Sequence, residues 1–318
     1  MKNLIEVRVV ISPTPFFFRR VHFLAASLKT LADMGPYEIT VAVGEDVEPY
    51  NLYAAQPWSQ RYPLTWRWVD REAFRRDSYW ETSREVFRQH GAARFVMHMD
   101  ADCIFIRSVR PLLDELERHP ALAGVIAHSP AFAIGEHPET PNESWRRLFD
   151  LYGVPQAPPI HETTGWGILT DDPERRFTPP YFNFGMIVGP YELMDKLNLD
   201  MIQADLFAAE HVKTNKRFQI GLTLAIQKHR IPVRILPFRY NFANDPRFDE
   251  RYADELARIR VLHYTRKKIV NRDRDFESLE AVEAFLARTD LTGSNEVLRR
   301  KIAKLYPMVR EEELAGLR

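Results

Sequence analysis

Short apolar runs alternate with amphipathic segments over the first hundred residues of the chain. The runs predict strands at 5–12, 37–44, 65–69 and 94–99, and the segments between them predict helices at 21–33 and 79–90. This β-α-β-β-α-β order favours an α/β fold with a mostly parallel central sheet and helices on both faces. Ligands of such sheets bind beyond the carboxyl ends of the strands, so functional residues are expected there.

The rest of the chain divides at its proline-rich and glycine-rich stretches. Residues 130–180 are rich in Pro, Glu and Thr, contain a predicted helix at 143–152 and two glycines beside Trp166, and are interpreted as an insertion that covers the site as a lid. Strands follow at 181–188 and 233–236, with helices at 191–209 and 219–229. The predicted organisation is one domain over 1–275, made of a first half (1–129), the insertion (130–180) and a second half (181–275), before a helical tail at 276–318.

Composition excludes several classes of protein. The 318 residues include 44 acidic and 44 basic side chains, which are intermixed, so no global field favours nucleic acid as a partner. Cys103 is the only cysteine, which excludes an intrachain disulfide and suits a reducing compartment. The first apolar run contains Glu6 and Arg8, unlike a signal peptide, and no stretch approaches the ~20 apolar residues that span a bilayer. A cytoplasmic protein, in solution or at a membrane surface, is therefore expected.

Two carboxylates interrupt the apolar run at 94–106. Asp100 and Asp102 follow the predicted fourth strand, and the chain continues apolar where an ordinary turn would become polar. Strand alternation would place both aspartates on the same side. Two like charges there need a cation, and hard oxygen ligands suit Mg²⁺ or Mn²⁺, whose remaining positions a nucleotide diphosphate would fill. The alternative is that the aspartates only end the strand and begin a turn.

Five segments in this order make the chain resemble the nucleotide-sugar glycosyltransferases of the GT-A fold, and most closely family 8, which includes glycogenin. They are the Asp-x-Asp at Asp100–Asp102, the Tyr-Phe-Asn-x-Gly strand at Tyr181–Val188, Gln219 at the start of a helix, Leu236–Asn241 and Val261–Thr265. The resemblance covers about residues 4–268, and it implies that 1–129 is the nucleotide-binding half and 181–275 the donor and acceptor half. It implies a metal-dependent transferase that moves a sugar from a nucleotide-diphospho sugar, with a UDP-sugar favoured, to a saccharide or other hydroxyl acceptor.

The resemblance also implies which residues hold the donor. Asp100, Asp102 and His263 would bind Mn²⁺ or Mg²⁺. The other implied donor contacts are Asp100 and Ala101, Thr14, Asp46 and Asp70 after the first three strands, Arg84 toward the diphosphate, and Lys267 and Lys268 toward the phosphates. Turn chemistry is the alternative for the strand-end residues, and a solvated basic run for the two lysines. The family's His-x-x-Gly-x-x-Lys-Pro-Trp ending is replaced here by His263-Tyr-Thr-Arg-Lys-Lys-Ile-Val270, without the glycine, proline and tryptophan.

The chain departs from the family where the donor sugar would bind. The family's Asp-Gln-Asp is here Phe218-Gln219-Ile220, so only the glutamine remains. Asn183 and Gln219 are the catalytic candidates, but neither amide can act as a base at neutral pH. Retention of the anomeric configuration, which needs no protein base, is therefore expected. Inversion would need a carboxylate, and the candidates are Glu162, Asp171 and Asp172, each of which is otherwise a solvated loop residue.

Three other classes of protein remain as alternatives. A transferase-like protein that binds a sugar nucleotide with weak or no turnover would also lack the two carboxylates, because a fold does not establish activity. A haloacid-dehalogenase phosphatase has its Asp-x-Asp on the first strand, with Thr or Val two residues later, whereas Ile104 stands there on about the fourth strand. A sugar-nucleotide pyrophosphorylase needs a glycine-rich loop after the first strand, and residues 12–19 contain no glycine.

Overall fold

The computed structural model describes residues 3–88, 93–127, 131–132, 141–155, 161–162, 177–265 and 268–316. The strands are β1 Ile5–Ile11, β2 Tyr37–Val43, β3 Leu64–Trp68, β4 Phe95–Asp100, β5 Cys103–Phe105, β6 Leu122–Ile126, β7 His161–Glu162, β8 Phe177–Thr178, β9 Phe182–Pro190, β10 Val233–Ile235, β11 Phe242–Ala243 and β12 Val261–His263. The helices are α1 Pro15–Lys29, α2 Leu52–Ala55, α3 Arg71–Asp77, α4 Tyr79–Arg88, α5 Arg110–Arg118, α6 Pro141–Tyr152, α7 Tyr191–His211, α8 Arg217–His229, α9 Pro246–Arg251, α10 Ala253–Leu256, α11 Leu279–Leu286 and α12 Gly293–Ala315.

A seven-stranded sheet in the order β10-β6-β9-β4-β1-β2-β3 forms the centre of the molecule. Strands β4, β1, β2 and β3 are parallel, β6 is parallel to β10, and β9 is antiparallel to both of its neighbours. The parallel strands β1, β2 and β4 bring Ile11, Val43 and Asp100 to one edge of the sheet. This mostly parallel arrangement confirms the predicted α/β fold class.

A second sheet has three strands in the order β11-β12-β5, and its strand β5 is separated from β4 by the two residues Ala101 and Asp102. The chain turns at Ala101 and Asp102, and β5 then pairs antiparallel with β12 in a register that sets Cys103 opposite His263. The backbone N–H of Tyr264 donates to the carbonyl of Asp102 at 2.9 Å. The expected strand alternation between the two aspartates is therefore wrong, because the chain leaves one sheet for the other between them.

Most elements lie where the sequence predicts them, with ends shifted by a few residues. The first helix differs most: α1 begins at Pro15 rather than near residue 21, because Thr14 takes the N-cap position and proline fits the first turn of a helix. Helices α3 and α5 and strands β5 and β6 are among the elements without a counterpart in the prediction, since short elements give little periodicity and Gly124 weakens a strand pattern. The domain limits stay predictions.

Two apolar cores lie on opposite faces of the central sheet. Val7 and Val9 of β1 pack in the core that contains residues of α1 and α12, whereas Ile187 of β9 packs in the core that contains residues of α7 and α8. Because side chains alternate along β1, Glu6 and Arg8 are on the face opposite to Val7 and Val9. Within the described ranges, no helix has both the length and the apolar character needed to cross a membrane.

A buried carboxylate joins α12 to α1. Glu312 accepts a hydrogen bond from the Tyr62 hydroxyl at 2.7 Å, and Nε2 of His22 lies 2.8 Å from the same oxygen. The His22 ring stacks on Trp58 with 4.0 Å between ring centres. Burial alone would raise the pKa of Glu312, but the contacts with His22 and Tyr62 more than offset it and hold the pKa at about 2.

Acid is expected to remove the stability that this carboxylate contributes. The folded pKa of about 2 is below the unfolded value, so the contribution is complete above an unfolded pKa of about 4.3 and is lost as the pH falls through the folded pKa. Glu312→Gln should therefore lower the melting temperature at neutral pH, and the difference from the wild type should shrink as the pH falls below about 5. Thermal unfolding followed by circular dichroism checks this; a difference that does not change with pH would contradict it.

Candidate active site

Three side chains from two distant parts of the sequence converge at the turn after β4. Nε2 of His263 lies 3.3 Å from Oδ1 of Asp102 and 3.5 Å from Oδ2 of Asp100. Asp102 and His263 are buried, whereas the Asp100 side chain is 40% exposed. The antiparallel pairing of β12 with β5 is what carries His263 to the aspartates. The structure thus brings together the three residues that the resemblance implies as metal ligands.

The second ring nitrogen of His263, Nδ1, is held by a chain of hydrogen-bonded amide side chains. Nδ1 of His263 donates to Oδ1 of Asn241 at 3.0 Å, and Nδ2 of Asn241 donates to Oδ1 of Asn183 at 2.8 Å. Asn183 Oδ1 also accepts from the backbone N–H of Gly185 at 2.8 Å. A donating Nδ1 leaves Nε2 as the nitrogen that faces the two carboxylates. Such a support, which fixes the tautomer and the ring orientation, is typical of histidines that bind metals.

The donor set at this point fits a hard divalent cation. The ligand atoms of Asp102, Cys103 and His263 lie within 4.8 Å of one another. Cys103 is the less suitable of these, because its thiol donates to the carbonyl of Gly185 at 3.0 Å and burial raises its pKa well above the ordinary value. Carboxylate oxygens with one imidazole leave positions for phosphate or water, as Mn²⁺ and Mg²⁺ sites do. The observed geometry therefore fits Asp100, Asp102 and His263 better than a thiolate site.

Gly185 explains why a glycine stands in the Tyr-Phe-Asn-x-Gly strand. A Cβ atom at this position would collide with Nδ1 of His263 and with Oδ1 of Asn241. We expect Gly185→Ala to displace the imidazole and to weaken Mn²⁺-dependent binding of UDP by about 10- to 100-fold, the range found when support of a metal ligand is lost. Isothermal titration with and without Mn²⁺ measures this effect.

The matched control for that substitution is Gly189→Ala on the same strand. A Cβ there would meet side-chain atoms of Leu122 at 3.2 Å and Met194 at 3.5 Å, which are remote from His263. Equal affinities in Gly185→Ala and Gly189→Ala would show that the close approach to His263 does not matter for the site.

A cavity of about 490 Å³ adjoins the metal-ligand candidates. Its walls include Asp100, His263, Asn183 and Gln219, so the two predicted catalytic amides do face the same space as the aspartate and histidine. The Tyr181 hydroxyl donates to Oε1 of Gln219 at 2.6 Å, which orients that amide. Asp100 is the one carboxylate among the described residues that line this cavity.

A second recess, of about 330 Å³, lies on the other side of Asp100 and includes Ala101 and Asp102. The Arg272 guanidinium reaches it, contacts Oδ2 of Asp102 and donates to the Thr265 hydroxyl at 3.2 Å. Sequence reasoning missed Arg272, and also Arg20, which lines the same recess. The basic composition of residues 266–274 is the only signal that pointed toward Arg272, and it is not specific.

Of the other predicted donor contacts, those that fall within the described residues line neither recess. Asp46 is exposed and pairs with Arg75 at 2.5 Å, and Asp70 caps α3 by accepting from the Ala73 N–H at 2.8 Å. Thr14 occupies the N-cap of α1 without a side-chain cap, and Lys268 is exposed. Lys267, Asp171 and Asp172 lie outside the described residues, as does the side chain of Glu162. Nucleotide contacts by these residues stay predictions.

Arg84 is held by acidic side chains. Its Nε and Nη2 lie 2.8 and 2.6 Å from Oδ2 of Asp205, its Nη1 donates to Glu81 at 2.8 Å, and it also contacts Asp77. Arg217 joins the same cluster, with its Nε 3.0 Å from Oδ1 of Asp205. These contacts favour a structural role for Arg84, and its predicted contact with a diphosphate would require it to leave some of them.

No protein-family profile and no curated protein matches the sequence. Solved structures do match. The chain is similar to the galactosyltransferase LgtC in complex with donor and acceptor sugar analogs, at 14% identity and a TM-score of 0.54, over 95% of each chain. It is also similar to the apo structure of the bifunctional glycosyltransferase WbbM, at 13% identity and a TM-score of 0.53, over 94% of this chain and 52% of that one. The chain has the GT-A fold that the sequence resemblance implies.

Proposed function

We propose that this protein is a glycosyltransferase that moves a sugar from a nucleotide-diphospho sugar to a hydroxyl acceptor. The observation that carries the proposal is the convergence of Asp100, Asp102 and His263 beside a cavity, with Nδ1 of His263 fixed by Asn241. The similarity to LgtC, a galactosyltransferase solved with donor and acceptor sugar analogs, supports it. A UDP-sugar is the favoured donor, and a saccharide hydroxyl the favoured acceptor.

The chemistry needs stabilisation of the leaving diphosphate. Asp100, Asp102 and His263 would hold Mn²⁺ or Mg²⁺, which when bound supplies a Lewis acid for the charge that develops on the diphosphate oxygens. Arg272, beside Asp102, places a further positive charge at this end of the site. Phosphate contacts by Lys267 and Lys268 belong to the same proposal.

Retention of configuration is the stereochemistry that the described residues favour. Asn183 and Gln219 cannot accept a proton as bases at neutral pH, and Asp100 belongs to the metal-ligand set. We therefore propose that the leaving diphosphate takes the proton of the acceptor hydroxyl on the same face of the sugar, while Asn183 and Gln219 orient the donor sugar. A family 8 relationship would agree with this mechanism.

The function is tested by hydrolysis and transfer with a panel of UDP-glucose, UDP-galactose, UDP-xylose and the corresponding GDP-sugars, each with Mn²⁺ or with excess chelator. Turnover of at least one donor that depends on Mn²⁺ is expected, and NMR of the product anomer reports the stereochemistry. Absence of binding of any nucleotide sugar would refute the proposal.

Gln219→Ala is expected to lower turnover more than donor affinity. Its amide lines the cavity and is oriented by Tyr181, so it can position the sugar for reaction without holding the nucleotide. Steady-state kinetics and donor titration separate the two effects, with Tyr181→Phe as the matched variant that keeps the amide but removes its orienting hydrogen bond. Equal losses in kcat and in donor affinity would contradict this role.

The second candidate function is a sugar-nucleotide-binding protein with weak or no turnover. The observation that favours it is the apolar packing of Phe218, whose ring lies 5.6 Å from Phe87 and 5.7 Å from Phe184 where the family carries a carboxylate. Metal-dependent binding without hydrolysis or transfer for any acceptor would favour this function over the enzyme.

A further inference from the structure

Buried polar atoms without partners lie in the wall of the cavity beside Asp100. His98 and Arg8 are 3% and 2% exposed, and both line this cavity. Among the described residues, neither ring nitrogen of His98 has a hydrogen-bond partner, and Nε of Arg8 has none either. Unpaired buried polar atoms are few in folded proteins, so three of them on adjacent residues need a physical reason.

The two side chains are neighbours because of the strand register. Arg8 on β1 pairs with His98 on β4, and both are on the sheet face that α4 covers. Nη1 of Arg8 donates to the carbonyl of Val86 at 2.7 Å, and the His98 ring lies 4.3 Å from that of Phe87. These contacts hold both side chains in place and leave the three nitrogens unpaired.

The positive charge of Arg8 is already paired with a carboxylate. Nη2 of Arg8 donates to Glu6 at 2.8 Å, and the other oxygen of Glu6 accepts from the Thr40 hydroxyl at 2.9 Å. The guanidinium charge is therefore already neutralised by Glu6, and an anionic ligand group is not needed to balance it. A neutral group that both donates and accepts suits the position better, because Arg8 Nε can only donate and a neutral imidazole offers one donor and one acceptor.

The distance between Asp100 and His98 is comparable to the length of a hexose. Asp100 and His98 are two residues apart on one strand, so they point to the same face about 7 Å from each other. A hexose is about as long as this separation, so a sugar attached to a diphosphate at Asp100 can reach His98 with one of its hydroxyls.

We propose that His98 and Arg8 form a polar subsite that recognises a hydroxyl of the transferred sugar remote from the diphosphate. The inference rests on the proposed function and deepens it, because it names the residues that would select among donor sugars. The hydroxyl would accept a hydrogen bond from Arg8 Nε and form a second one with a ring nitrogen of His98, which pairs nitrogens that the described part of the chain leaves unpaired.

The first test needs no variant. Affinities of the wild type for UDP, UDP-glucose, UDP-galactose and the 3-, 4- and 6-deoxy forms of both sugars are measured by isothermal titration with Mn²⁺. Loss of one particular hydroxyl should weaken binding about tenfold, as expected for one buried hydrogen-bonded group, whereas the other deoxy sugars should bind nearly as well as the parent.

The second test uses His98→Phe, which keeps an aromatic ring against Phe87, and Met97→Leu as the control on the opposite face of β4. His98→Phe should remove the preference for that hydroxyl, leave UDP affinity unchanged and bind the corresponding deoxy sugar as tightly as the parent sugar. Met97→Leu should retain the wild-type preference. In the wild type, equal affinity for every deoxy form would overturn the inference and leave only an internal water as the partner of these nitrogens. Failure of the wild type to bind UDP or any sugar would instead refute the proposed function.

Discussion

Asp102→Asn should lower the Mn²⁺-dependent affinity for UDP by on the order of a hundredfold, at least as much as loss of a residue that supports a metal ligand. The substitution keeps the size of the side chain but removes the charge that Oδ1 presents 3.3 Å from Nε2 of His263. Titration of UDP into the variant, with Mn²⁺ and with excess chelator, measures the effect.

The control for this prediction is Asp290→Asn, whose exposed carboxylate pairs with Arg288 at the surface. It should bind UDP as the wild type does. If chelator leaves the UDP affinity of the wild type unchanged, Asp102 serves another purpose, and the contact of Arg272 with its Oδ2 would then be the interaction that matters.

The largest loss of stability is expected from Asp205→Ala. Asp205 is fully buried and forms ion pairs with two arginines, Arg84 and Arg217. Its removal takes one buried carboxylate away from both guanidinium groups. Breaking a buried pair in this way costs about 3–5 kcal/mol of unfolding free energy. Urea unfolding at neutral pH is the measurement.

Asp114→Ala is the matched surface case, because Asp114 pairs with Arg110 at 2.6 Å with both side chains substantially exposed. Its cost should be below about 1 kcal/mol. A similar cost for the two variants would mean that water reaches the cluster around Arg84. That outcome would also make Arg84 more available to a diphosphate than its present contacts indicate.

The sequence predicted the features that depend on local patterns. Strand β4 with Asp100 at its end, β9 with Asn183 and the helix that carries Gln219 are all predicted from periodicity and resemblance, and these three residues line one cavity. The two carboxylates do face the same imidazole, as expected, but strand alternation is the wrong reason for it, because alternation holds only while a strand stays in its sheet. Leaving β4 for a second sheet depends on pairing with β12, which is distant in sequence.

The polar residues of the subsite, Arg8 and His98, interrupt apolar strands, but the sequence alone does not identify them as one site. Glu6 and Arg8 alternate with valines in β1, and His98 interrupts β4 in the same way, which is the pattern that singled out Asp100 and Asp102. What the sequence lacks is the register that sets Arg8 beside His98. The contact of Arg272 with Asp102 likewise depends on tertiary packing and has no local signal.

The pairing of β12 with β5 also sets when the site can form during folding. Asp100 and His263 are separated by about half of the chain, so their approach is a non-local contact of the kind that forms slowly. A partly folded chain with a complete β1–β4 region would have both aspartates but no imidazole. A bound cation would stabilise only states in which the last strand has docked, and would therefore slow unfolding of the finished protein without helping the early stages of folding.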